Sequence, residues 1–305
     1  MEHEHASDAA AAHARANRLG ILGMVAAMAC FIVNDTMVKY ASESLPAAQL
    51  IFIRSVMATM LILAVVIATG RIGQIRVITH RWVLTRSILD AISTFLYLVS
   101  LFNLPISTAT SINSTSPLLI TLLAALVVGE RVRAALWLAT AIGFAGVLLI
   151  IQPQAEGFNF YAILCLSSTM VMAVRDVITR RVHAGVPSIL VTLSTTLTVT
   201  LLAGALSLIQ GWGPVGTREL AMLVTAAISV SAAYVLIVRS TRRGDLSVVA
   251  PFRYSALLFA AVTGYLVWGD VPNALAWCGI ALLVGSGIYV LRADRRARAA
   301  APTID

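Results

Sequence analysis

The feature that most constrains this chain is an internal repeat spaced by about 140 residues. Ser107 to Val132 reads STATSINSTSPLLITLLAALVVGERV, and Ser247 to Val271 reads SVVAPFRYSALLFAAVTGYLVWGDV. The register is kept at Ser107 and Ser247, at Gly129-Glu130 and Gly269-Asp270, and at Trp137 and Trp277. One residue further apart, Asp35 matches Asp176, Lys39 matches Arg180 and Pro46 matches Pro187. Self-similarity of this kind points to a duplication.

The duplicated unit belongs in lipid. Hydrophobic residues make up 59% of the chain and charged ones 12%, with a mean hydropathy of +0.89. A soluble domain carries about 25% charge. Ten apolar runs are long enough to span a bilayer as helices, given the roughly 20 residues that requires. They lie near 19–40, 47–69, 82–102, 106–128, 134–151, 158–180, 187–209, 218–239, 247–268 and 273–292. The links between them are short. The polar N-terminal tail, 1–18, reads as disordered, and His3, His5 and His13 within it as a tail rather than a metal site. The run from Leu19 is too long for a signal-peptide core and reads as retained. A second tail covers 293–305.

Basic residues set the orientation. With the N-terminus in the cytoplasm, the inner segments hold 17 of the 22 Lys and Arg, from Arg15 and Arg18 to Arg298. The outer links hold only Arg218, beside Glu43, Glu156, Glu219 and Asp270. This asymmetry accounts for the net charge of +8 without nucleic acid. Five spans in each half is an odd number, so the second half enters the membrane upside down. The expected fold is therefore all-α: ten transmembrane helices in two inverted five-helix repeats, 19–151 and 158–292, around a central cavity. Both chain ends are expected on the cytoplasmic side of an inner membrane. Inverted repeats about a midplane site are a design of secondary transporters.

Several residues carry a family likeness: Asn34 and Lys39 in the first span, Pro46 and Arg54 at the second, and Tyr97 in the third. Ser107, Ala109, Pro117, Gly129 and Glu130 in and after the fourth, and Gly143 and Gly146 in the fifth, add to it. On these the chain resembles the EamA-type ten-helix carriers of the drug/metabolite transporter superfamily, over nearly all of 19–292. In the ninth span Leu257 replaces the family's proline, and Pro251 falls one to two turns earlier. The resemblance implies a cavity ringed by the first, third, fourth, sixth, eighth and ninth spans, and export or exchange of small metabolites, such as amino acids. Riboflavin-like, nucleotide-like and drug-like solutes are carried by the same superfamily.

Ionisable groups inside a bilayer are costly and are functional candidates by default. They are Asp35, Lys39, Arg54, Asp90, Arg175, Asp176 and Arg253. Asp35 with Lys39, and Asp176 with Arg180, are spaced i, i+4. Each is a local ion pair or a gate or coupling group. Arg54 is placed to snorkel outward. Arg253, at the repeat position of Asn113, has three readings: a cavity group meeting a substrate carboxylate, a snorkelling group, or a partner of Asp90. Asn34, Thr110, Asn113 and Ser114 are candidate cavity-wall groups, and Thr121 continues their face. Pro117 and Pro251 are candidate kinks. Tyr97 and Tyr234 stack on a substrate, seal a gate or simply pack. Cys30, Cys165 and Cys278 read as small apolar residues. No metal spacing and no cofactor motif occurs.

The single lysine, Lys39, is followed by Tyr40, so the chain has no G-x-x-x-x-G-K-[ST] loop for ATP. Transport is then driven by a gradient or is facilitative, with Asp35, Asp90 and Asp176 the candidate proton carriers. Two rival classes are a passive channel or structural protein and a membrane-embedded lipid-modifying enzyme. The sequence lacks the His, Asp and Ser cluster that the enzyme requires. The expected partners are a small-molecule substrate and the lipid bilayer. Oligomeric state is open between a monomer, which holds the whole inverted pair, and a homodimer.

Overall fold

The computed structural model describes residues 2–127, 134–151, 160–179, 181–183, 185–243 and 246–299, and every regular element among them is helical. In order these are α1 (Glu2–Ala41), α2 (Ala47–Ala68), α3 (Arg81–Asn103), α4 (Ile106–Asn113), α5 (Ser116–Val127), α6 (Ala134–Ile151), α7 (Phe160–Thr179), α8 (Ser188–Gln210), α9 (Thr217–Arg243), α10 (Leu246–Val249), α11 (Ser255–Trp268) and α12 (Ala274–Ala299). Two 3₁₀ segments, Arg71–Thr79 and Ala250–Tyr254, join them. Among the described residues, seven spans are long and apolar enough to cross a membrane, with shorter apolar helices at Trp137–Ile151 and Ala274–Val290. This is a multi-pass membrane protein. The tail expected to be disordered is instead a helical extension of α1 from Glu2. Its alanines, which have the highest helix propensity, favour that continuation.

The run at 106–128 is two helices, not one. Ser111 and Ser114 donate their hydroxyls to the carbonyls of Ser107 and Thr110, and Thr115 donates to Ile112. Such back-bonding bends a helix. Pro117 then removes an amide donor and crowds the carbonyl of Asn113, four residues earlier. The result is a break at Ser114–Thr115. The ninth run breaks at the repeat-equivalent place, where the Ala250–Tyr254 turn opens with Pro251 and precedes α11. The two prolines differ in register because one starts the helix after the break and the other starts the break itself. Asn113 and Arg253 thus stand at matched interruptions.

Repeat-equivalent helices pack against each other antiparallel. The start of α2 meets the end of α8: the amide of Ala48 donates to Gln210 at 2.8 Å, and Phe52 packs edge-on to Trp212 at 5.8 Å. The end of α2 meets the start of α8 through Ile62, Val66, Leu190 and Leu193. Thr59 and Thr200, equivalent residues, share a hydrogen bond of 3.2 Å between those ends. Among the wider contacts, α1 pairs with α9, and α3 pairs with α7. The main core is centred on α1, α2, α3, α4 and α7, with Met24, Leu50, Leu98, Ile112 and Cys165, and extends to α8, α9 and α11 through Val199, Leu223 and Ala260.

Helices α6 and α12 touch backbone to backbone. A methyl on Gly146 would stand 2.7 Å from the Gly279 carbonyl oxygen, and one on Gly279 would stand 2.5 Å from that of Gly146. Lipid supplies no hydrophobic drive for pairing, so close approach of small residues holds such helices together. Gly146→Ala and Gly279→Ala are each expected to destabilise the protein by about 1–3 kcal/mol. The double variant should cost less than the sum, since both act on one contact. Thermal denaturation in detergent measures this.

Candidate functional site

Apart from Lys39, the charged residues inside the bundle lie in one electrostatically linked group. At its sealed end Asp35 of α1 accepts hydrogen bonds from the Asn34 amide at 2.8 Å and the Tyr97 hydroxyl at 2.7 Å. Arg54 of α2 reaches this pair only through Asn34, donating to its oxygen at 3.1 Å. Arg54 is buried and its Nε has no partner among the described residues, so it does not snorkel outward. The amide of Asn34 accepts from the guanidinium and donates to the carboxylate, which keeps a buried charge pair hydrogen-bonded.

Of the two readings of Asp35 with Lys39, the local ion pair is absent among the described residues. Lys39 instead donates to the carbonyls of Leu101 and Leu104 at the C-terminus of α3 and lies 5.3 Å from the centre of the Trp268 ring. Last-turn carbonyls lack helical partners and carry partial negative charge, so a long ammonium side chain is drawn to them. Around this clasp Trp268 donates to Glu43, Ser44 to Glu219, and Arg218 to Tyr40. Helices α1, α3, α9 and α11 are tied together at the Lys39 end.

At the other end Arg175 of α7 binds Asp90 of α3 and also Asp176, with Nε and Nη2 at 2.9 and 2.6 Å from one Asp176 oxygen. Asp90 is therefore Arg175's partner and not Arg253's. Asp176 takes its neighbour Arg175; Arg180, its expected partner, lies outside the described residues, as do Gly129 and Glu130. Tyr234 of α9 lies within the electrostatic reach of Asp90, Arg175, Arg54 and Arg86, which joins the two ends of the group. Exposure rises along it, from 3% at Asn34 to 33% at the Asp176 side chain and 36% at Tyr234.

Arg253 sits at this accessible end, in the field of Asp176 and Arg175. It is exposed and makes no hydrogen bond or ion pair among the described residues. Asn113, half-buried, likewise has no side-chain hydrogen bond there. Thr110 is buried, and its hydroxyl lacks a partner among the described residues. Ser114 spends its proton on the backbone of its own helix. Cys165 is buried, Cys30 is half-buried and Cys278 is exposed. A separate pocket of about 230 Å³ opens at the Lys39 end, lined in part by Pro105, Ser107, Ser111 and Asp270.

The basic-residue pattern places Arg86 among the cytoplasmic charges, yet it lies on α3 and donates to Thr195 at 2.7 Å. The sequence holds a signal for this: Arg86 is four residues before Asp90, on the same helix face.

The EamA-like transporter family matches this chain twice, over residues 18–152 and 159–292. The chain belongs to that family. It is a small-molecule transporter and not an enzyme. The pseudopaline exporter CntI of Pseudomonas aeruginosa is 29% identical over 282 residues, 90% of this chain and 97% of that relative. The riboflavin transporter of Vibrio cholerae is 27% identical, covering 89% and 92%. The S-adenosylmethionine uptake transporter of Rickettsia prowazekii is 22% identical, covering 91% and 94%. A solved crystal structure superposes with a TM-score of 0.64 at 21% identity, over 92% of this chain and 99% of that one, which establishes the shared fold.

Proposed function

We propose that the chain is a secondary transporter that moves a small, carboxylate-bearing polar metabolite, such as an amino acid, across an inner membrane. Ten spans form two inverted five-helix halves, with both chain ends cytoplasmic, and the solute binds between the halves. The observation that carries this reading is Arg253: a guanidinium with no hydrogen bond or ion pair among the described residues, at a helix break, in the field of the Arg175–Asp90–Asp176 group. A planar guanidinium pairs with a carboxylate in a bidentate geometry. The antiparallel packing of α2 on α8 supports the inverted arrangement.

In this conformation the Lys39 clasp ties α1, α3, α9 and α11 together at one end, and side-chain exposure rises toward the Arg253 end. Alternating access requires the clasp to release. Lys39→Met should raise the rate at which a cysteine at Asn113 reacts with an impermeant maleimide added from the Lys39 side. An unchanged rate would remove Lys39 as a gate.

Direction of transport does not follow from the relatives, since one is named an exporter and another an uptake transporter. A second reading, a flat aromatic solute of the riboflavin kind, is favoured by the exposed ring of Phe252 next to Arg253 and by the edge-on Phe31–Tyr234 pair. A thermal-shift screen of amino acids and riboflavin on the purified protein separates the two. A true ligand at one hundred times its Kd stabilises the folded state by about 2.7 kcal/mol. Saturable flux of that ligand into proteoliposomes carrying only this protein then confirms transport. Non-saturating conductance would favour a channel instead.

A further inference from the structure

Resting on the transporter reading above, we propose that Asp35 is the proton-binding site that couples this carrier to a proton gradient, and that Tyr97 relays its protonation to α4. Of the three carboxylates inside the bundle, two are held by Arg175. Each of these two accepts hydrogen bonds from a guanidinium, the geometry of a carboxylate engaged with a cation. Asp35 is different. It is 7% exposed, and the groups touching it are neutral donors, the Asn34 amide and the Tyr97 hydroxyl. No cation touches it among the described residues; Arg54 reaches it only through Asn34.

The other titratable neighbours are accounted for. Arg54 on α2, Tyr97 on α3 and Cys165 on α7 share the field of Asp35. Tyr234 on α9, and Arg253 and Tyr254 in the 250–254 turn, are tied electrostatically to the Arg175 group or to each other, and Lys39 is engaged by the carbonyls of α3.

The relay is visible in a second, independent feature. The Thr110 hydroxyl on α4 is within interaction range of the Tyr97 hydroxyl, yet it is buried with no hydrogen-bond partner among the described residues. While Asp35 is ionised, Tyr97 donates to it, and only the acceptor lone pairs of the Tyr97 oxygen are left to face Thr110. When Asp35 gains a proton, its new O–H donates to the Tyr97 oxygen. The Tyr97 hydroxyl hydrogen then turns to Thr110. One proton enters from solution, none is lost, and each hydroxyl is satisfied. Protonation of Asp35 thus reverses the direction in which Tyr97 presents its hydroxyl to Thr110. Thr110 lies three residues before Asn113, at the break between α4 and α5. The proton is thus read out at the helix that faces the solute site.

Infrared difference spectroscopy of the full-length protein, between alkaline and acidic media and without any solute, tests this separately from transport. A carboxylic-acid carbonyl band should appear on acidification. It should vanish in Asp35→Asn and persist in Asp90→Asn and Asp176→Asn. Should Asp35→Asn fail to fold, Tyr97→Phe serves instead: the band should stay but change frequency, because the acid has lost its acceptor. Thr110→Val should also change its frequency, while Thr110→Ser should not. A band that survives Asp35→Asn unchanged, that is absent from the parent protein, or that ignores Tyr97→Phe would overturn the proposal. Loss of flux with this band intact would instead count against the transport reading alone.

Discussion

Arg253→Ala should cost about 10- to 100-fold in affinity for the solute while leaving the helical bundle and its melting temperature in place. The magnitude follows from the roughly 1.5–3 kcal/mol assigned to a hydrogen bond with a charged group. The separation of binding from stability follows from the geometry. Arg253 is exposed and satisfies no other side chain among the described residues, so its removal orphans nothing. Arg253→Lys keeps the charge but loses the fork that grips two carboxylate oxygens, and should recover only part of the loss. Ligand-induced thermal shift and proteoliposome flux measure both quantities on one preparation. Full affinity in Arg253→Ala would remove this residue from the site.

Arg175→Ala should have the opposite signature. Arg175 sits between Asp90 and Asp176, and Asp90 is buried. Deleting the guanidinium leaves two carboxylates facing each other, one of them out of water. Removing one partner of a buried pair costs about 3–5 kcal/mol. The fall in melting temperature should exceed that of Arg253→Ala, Gly146→Ala or Gly279→Ala, and solute binding should fall with it. A double variant, Arg175→Met with Asp90→Leu, should restore much of the stability, because the carboxylate left without its partner, Asp176, is the more exposed of the two. It should not restore transport if the accessible carboxylate of Asp176 takes part. Thermal denaturation of the single and double variants decides this. Equal stability of Arg175→Ala and the parent would mean that the pair is not formed.

The helices are legible in the sequence because a bilayer admits few alternatives: runs of about 20 apolar residues with basic residues at alternate ends read as spans. The break at Ser114–Thr115 is legible through Pro117. The matching break is harder. Aligning the ninth run on Pro117 leads to Leu257, whereas the chain breaks where Pro251 starts a tighter turn. The charged residues are legible as a set and not as pairs. An i, i+4 rule joins Asp35 to Lys39, but α3 ends beside Lys39 with unpartnered carbonyls, and no local rule contains that helix end. Arg54 has the position of a snorkelling residue because it lies near a span's start; Asn34, 20 residues earlier, holds it inside. Arg86 is hidden among the loop charges by its place at the start of a span.

The opposed threading of the two halves underlies all of this, and one labelling measurement reaches it directly. Gln74 follows α2 and Val215 follows α8 at equivalent places in the repeat, and both are exposed. With Cys30, Cys165 and Cys278 replaced by alanine, single cysteines at these two positions are treated with a membrane-impermeant maleimide from each side in turn. The predicted result is that each reacts from one side only and that the two sides differ. Reaction of both from the same side would contradict it.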